Sequence, residues 1–239
     1  FNEDRSEWQK KSIYLLHLLT IALSHKTIAV SEETKNPHKT IPKALLISIV
    51  ISTILYQIAD GMEEIHLNHI IHKDLAARNI LVFTFDKIYP ERIRVKVTDF
   101  GMSSIMNQIQ MGSGYYYGNK SSELPIRWMA PETLARSKWS EKSDVFSFGV
   151  LVWECLSGGA VPWGMGASHH DIQQRVQQGE MLPCEATWST GLVDLMRRCC
   201  SKVVGTRPNF TEIKTILAPL MVTVANQPIP PPPPPPPSC

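Results

Sequence analysis

The sequence predicts an α+β fold that is mainly helical and carries short β-hairpins. Two observations point there. Four stretches in the second half, Val145 to Ser157, His170 to Gln178, Gly191 to Cys200 and Thr211 to Met221, read as helices. Upstream, Ile80-Leu81-Val82 and Ile93-Arg94-Val95-Lys96-Val97 run apolar or alternate, as the two arms of a short hairpin do. At 239 residues with 43% hydrophobic content, the chain can bury one sizeable core. Its formal net charge of +2 gives no argument for nucleic acid or an anionic membrane. The five cysteines form no CxxC pair and no metal spacing, which reads as reduced thiols and a cytoplasmic setting.

The elements follow in order. Residues 1–11 are polar. Ile13 to Leu23 is an apolar run too short to span a bilayer and interrupted by His17. Pro42 fits the first turn of a helix that begins at Ala44. Ala44 to Ala59 carries no charge; as a helix it spans about 24 Å, short of the ~30 Å hydrocarbon core. Ile58, Met62 and Ile65 recur at helical spacing, so one face packs inward. The segment Phe83 to Arg92 is expected to form an extended hairpin tip. Pro230 to Pro237 are consecutive prolines, which favour polyproline II and cannot join a core.

The residues Ile71-His72-Lys73-Asp74-Leu75-Ala76-Ala77-Arg78-Asn79-Ile80-Leu81-Val82 closely resemble the catalytic loop of protein kinases, H-R-D-L-x-x-x-N. Asp99-Phe100-Gly101 resembles the metal-binding D-F-G of the same family. Leu124 to Glu132 (L-P-I-R-W-M-A-P-E), Ser143-Asp144-Val145 with Phe148-Gly149, and Arg207-Pro208 continue the resemblance in order. The chain is similar to the C-terminal lobe of a protein-tyrosine kinase over residues 57–221. Segment 1–56 is expected to lie outside that lobe, and 222–239 to form a proline-rich tail. Within 1–56, the string from Thr27 to Tyr56 resembles a loop and helix of amino-acid permeases; a membrane role rests on that alone.

The resemblance implies roles residue by residue. Asp74 would accept the proton of the substrate hydroxyl, and Asn79 and Asp99 would hold Mg²⁺ on the phosphates of ATP. Gly101 lets the chain turn after Phe100. Ala76 and Arg78, with Leu124 to Trp128, favour tyrosine over serine or threonine. Glu132 and Arg207 are expected to pair. Asp144 is expected to accept hydrogen bonds from the catalytic-loop backbone, an ordinary N-cap being the alternative. His72, Phe100 and Asp144 are expected to be buried. Tyr115, Tyr116 and Tyr117, between glycines, resemble an activation-loop phosphorylation site, with Lys73 as the answering cation. Lys73 stands where the family usually has arginine and lacks the bidentate fork. Phe146, Trp163 and Cys200 are further departures, none at a catalytic group. His169 and His170 read as surface polarity rather than metal ligands.

A kinase grips ATP with a glycine-rich loop and a strand lysine. The first glycine here is Gly61, and residues 1–56 contain no V-A-I-K-like string. The chain as given is therefore expected to lack the nucleotide clamp, and with it activity. Two readings follow: a tyrosine kinase lobe using ATP and Mg²⁺ on protein substrates, or a non-catalytic kinase-like binding module. In either, the proline tail would recruit SH3, WW or profilin-like domains, or serve as an inert spacer.

Overall fold

The computed structural model describes residues 43–85, 89–106, 115–117 and 124–222. The permease-like loop, most of the segment that carries Tyr115 to Tyr117, and the proline tail lie outside them. The element order is α1 (Lys43–Leu67), β1 (Ile70–Ile71), β2 (Ile80–Thr84), β3 (Arg94–Val97), β4 (Ser104–Ile105), β5 (Tyr116–Tyr117), α2 (Pro131–Arg136), β6 (Lys138–Trp139), α3 (Glu141–Ser157), α4 (His169–Gln178), α5 (Thr190–Cys199) and α6 (Phe210–Val222). The strands pair antiparallel in three two-stranded ribbons: β1 with β4, β2 with β3, and β5 with β6.

α3 is the centre. Every residue from Ser143 to Leu156 is buried, because helices and loops cover it on all sides. Its start is fixed by a reciprocal capping box: Ser140 Oγ accepts from Ser143 N, and Ser143 Oγ accepts from Ser140 N. Gly158, at φ 72°, ends it in the left-handed conformation that favours glycine. Where α3 meets α5, Gly149 lets the helices nearly touch. A Cβ there would stand 2.5 Å from Cys200 Sγ and 2.9 Å from Cys199 Cβ, so alanine would force the helices apart. The described cysteines, Cys155, Cys184, Cys199 and Cys200, are free thiols.

α1 runs without a break through Tyr56–Gln57. The division expected there falls inside one helix. Ile51, Ile54, Leu55, Ile58 and Met62 are buried on one face, so the uncharged run is used up by core packing, mainly against α6. Among the described residues no helix is long and apolar enough to cross a membrane. Gln57 ties α1 to the hairpin: its Nε2 donates to Ile93 O at 2.8 Å and its Oε1 accepts from Val95 N at 3.0 Å. The β2–β3 hairpin forms as expected, with Ile80 opposite Val97 and a register shift between Val82 and Thr84 toward the long tip.

Candidate active site

The site is built where β1 leaves α1 and runs under the start of α3. Two backbone N–H groups of this turn, His72 and Lys73, donate to the Asp144 carboxylate at 2.8 and 2.9 Å. His66, at the end of α1, meets the same carboxylate at 3.0 Å. Asp144 is 1% exposed, so these donors are what makes its burial tolerable. The N-cap alternative does not hold, because Ser140 fills that position. Lys73 takes φ 70°, a left-handed kink held by the two bonds that lets Asp74 leave the turn.

Asp74 is gripped on both oxygens. Asn79 Nδ2 donates to Oδ2 at 2.9 Å and also to the Asp74 carbonyl at 2.6 Å, while Arg78 donates to Oδ1. Asp74 N donates to His72 Nδ1 at 3.2 Å, and His72 Nε2 reaches Thr98 O at 3.1 Å. Thr98 in turn donates from N and Oγ1 to Asn79 O at 2.9 and 3.0 Å. The β2–β3 register therefore sets Asn79 opposite Thr98, and Asp99 is the next residue. Sequence neighbours of the two motifs are thus bonded to each other across 19 residues.

The second motif is held more loosely. Asp99 adopts φ 62° and its Oδ1 accepts from Gly101 N at 3.2 Å. Phe100 does not bury as expected. It is 48% exposed, and its ring lies 5.2 Å from the His72 ring between centroids. Asn79 spends both amide protons on Asp74, which leaves its Oδ1 for another ligand. Asp99 Oδ2 makes no hydrogen bond among the described residues. Two hard oxygens of this kind, one amide and one carboxylate, suit a Mg²⁺ that keeps part of its water shell and takes phosphate oxygens as well. No group of three or more His, Cys, Asp or Glu side chains is gathered among the described residues, so a cage supplied by the protein alone is not what these donors build.

Glu132 and Arg207 form a two-pronged pair, Nη1 to Oε1 at 2.7 Å and Nη2 to Oε2 at 2.9 Å. Arg207 is buried and also bonds the Ser201 and Lys142 carbonyls. The pair pins the end of the L-P-I-R-W-M-A-P-E segment to the loop before α6. Arg127 anchors the loop after α3 through the Pro162, Gly164 and Ala167 carbonyls.

Lys73 Nζ donates to Ser104 Oγ and lies 5.9 Å from the Trp139 ring centroid. Burial pushes its pKa down to about 8, against the pull of Asp144. The Tyr115 ring sits under Lys138 Nζ, 3.2 Å from the centroid. Tyr116 and Tyr117 pair through their backbones with Trp139 and Lys138. His169 and His170 are both exposed.

Two residues escaped the sequence reading. His66 gave no signal. Glu154 did: it is the one carboxylate between Val145 and Leu156, in an otherwise apolar run. It is buried, and desolvation raises its pKa to about 7 against the hydrogen bonds of Ala77 and Trp128.

A helical lobe around a buried carboxylate, with an aspartate clamped by an arginine and an asparagine beside a D-F-G turn that follows a paired strand, defines a phosphotransferase core. The family model for protein tyrosine and serine/threonine kinases matches residues 25–217, and the chain belongs to that family. The match takes in α1 whole. The chain is 34% identical over 164 residues to the chicken (Gallus gallus) tyrosine-protein kinase SYK. That alignment covers 69% of this chain and 25% of the relative, so the chain spans about a quarter of that protein's length.

Proposed function

We propose that this chain is the catalytic lobe of a protein-tyrosine kinase, transferring the γ-phosphoryl group of ATP to tyrosine in protein substrates. The observation that carries the reading is the Asp74 carboxylate, held on both oxygens by Arg78 and Asn79. Phosphoryl transfer asks for position and charge rather than covalent help, and a carboxylate locked this way is a base waiting for a hydroxyl proton. ATP with Mg²⁺ supplies the transferable group and neutralises its charge. Asn79 Oδ1 and Asp99 would hold that metal. The tyrosine preference rests on Ala76 and Arg78. Alanine two residues after the base leaves the floor clear where serine/threonine kinases usually place a lysine, and the Arg78 guanidinium lies 4.2 Å over the Trp128 ring, a flat apolar shelf beside the base. The chicken relative is named a tyrosine kinase.

No glycine precedes Gly61, and residues 1–56 contain no V-A-I-K-like string, so the chain by itself is expected to turn over ATP negligibly. The test joins a tyrosine-kinase small lobe ahead of Lys43, which keeps α1 whole. Phosphorylation of tyrosine peptides, not of serine or threonine peptides, is the expected result, abolished by Asp74→Asn. Transfer to serine, or activity that survives Asp74→Asn, would overturn the reading. The proline tail is proposed to recruit SH3, WW or profilin-like domains; equal recovery of such domains with and without residues 227–239 would make it a spacer.

A further inference from the structure

Glu154 sits on the central helix, 77 residues from Ala77, yet it reaches the catalytic loop. Burying a carboxylate among apolar side chains is costly, and well-packed hydrocarbon would serve the core better. What the carboxylate does is specific. One oxygen, Oε2, accepts two hydrogen bonds, from Ala77 N at 3.0 Å and from Trp128 Nε1 at 2.9 Å. Ala77 opens the 3-10 turn Ala77–Asn79, which carries Arg78 and Asn79. Trp128 closes the turn Ile126–Trp128 and lies under Arg78, 4.2 Å from guanidinium to ring centroid. Arg78 then donates to Asp74. The chain of contacts runs from Glu154 to the indole, to the guanidinium, to the base.

We propose that Glu154 is a positioning residue for phosphoryl transfer: its Oε2 fixes the Trp128 ring and the start of the loop turn together, and so sets where Arg78 holds the Asp74 carboxylate. The proposal rests on the reading of Asp74 as the base. Both donors converge on the same atom, so what the site requires is an acceptor oxygen rather than a charge. Glu154 Oε1 has no donor among the described residues, and a carboxamide nitrogen fits in its place. Glutamine should therefore keep the arrangement, and leucine of similar size should lose it. The groups that face Glu154 are Arg78 and Asp74 from the loop and Trp128 from the platform. Its pKa of about 7 means that both protonation forms occur near neutrality. Either form leaves an oxygen able to accept both bonds.

Two measurements test this. In the ¹⁵N-labelled chain, the Trp128 indole N–H resonance, assigned by its loss in Trp128→Phe, should move with a midpoint near pH 7. Glu154→Gln should abolish that movement and leave the indole proton protected. Glu154→Leu should speed its exchange with solvent about tenfold or more. In the kinase completed with a small lobe, Glu154→Leu should lower kcat about 30-fold or more with the KM for ATP within about twofold, because a base displaced by about 1 Å loses that much. Glu154→Gln should recover most of the loss. If Glu154→Leu does not fold, Trp128→Phe carries the test, since it keeps a ring under Arg78 but removes the donor; an unchanged kcat there would overturn the proposal. Equal kcat losses in the glutamine and leucine variants would also overturn it, pointing to charge. The base reading fails separately, by activity that survives Asp74→Asn.

Discussion

The loop from His72 to Asn79 and the segment from Thr98 to Met106 face each other, yet they are built on opposite terms. In the first, His72, Lys73, Leu75, Ala76, Ala77 and Asn79 are buried, and its backbone is bonded to two carboxylates of α3. In the second, Asp99, Phe100 and Gly101 are exposed, and the only described bond to the Asp99 side chain comes from two residues away. The folded lobe preorganises Asp74, whereas Asp99 is left on a short, exposed strip of backbone. If the proposed roles hold, the difference teaches that proton acceptance would be a property of this lobe's core, and metal binding would be shaped at its surface.

The comparison can be broken most severely at the base. In the completed kinase, Asp74→Asn should lower kcat by about 10³-fold or more while leaving the circular dichroism spectrum and melting midpoint close to wild type. A large stability loss would mean that Asp74 belongs to the structural scaffold instead. The next effect tests the frame behind the loop. Arg207 is fully buried against Glu132, so Arg207→Ala strands a carboxylate and should cost about 3–5 kcal/mol in urea unfolding. Glu132→Gln, which keeps one of the two acceptor oxygens, should cost less.

A third effect is read in pH. The folded-state pKa of Glu154 is raised from 4.5 to about 7 by burial. Its contribution to stability is therefore fully present below pH 4.5 and is lost as pH rises to 7. That rise corresponds to roughly 3 kcal/mol at most. Urea midpoints at pH 5 and pH 8 should show Glu154→Gln gaining on wild type at the higher pH; a constant gap would place the carboxylate in a wetter site than the structure shows. The smallest effect sharpens the other side of the comparison. Asp99→Ala should change stability by less than about 0.5 kcal/mol, while Asp144→Ala, which leaves buried N–H groups without an acceptor, should cost about 2 kcal/mol or more. Comparable losses at the two aspartates would erase the contrast.

Much of this was legible in the chain because the chemistry is written in contiguous strings. Asp74 and Asn79 share one loop, and Asp99 follows a strand whose register against Ile80 follows from alternating burial. The helices were legible from periodicity and landed within a few residues of their ends; Ser140, one residue ahead of α3, is a cap the motif does not include. Long-range pairing was legible only where a motif named both ends, as for Glu132 with Arg207. Glu154 with Trp128 and Ala77, or His66 with Asp144, depend on how helices cross, and no local pattern encodes that. The exposure of Phe100 was misjudged because burial depends on what lies opposite, not on the residue's own apolarity.

The bonds from α3 to the catalytic loop also bear on the order in which the chain folds. The β2–β3 hairpin joins residues fewer than 20 apart, and loop closure over that distance is easy. The contacts of Asp144 and Glu154 with the loop span 71 to 77 residues, and long-range contacts of this kind form late and slowly. The loop therefore acquires its working shape only when the central helix docks. A partly folded chain, such as one still emerging during synthesis, holds every residue of the motif but lacks the long-range part of its geometry, so in the proposed reading a competent base reports that α3 has docked.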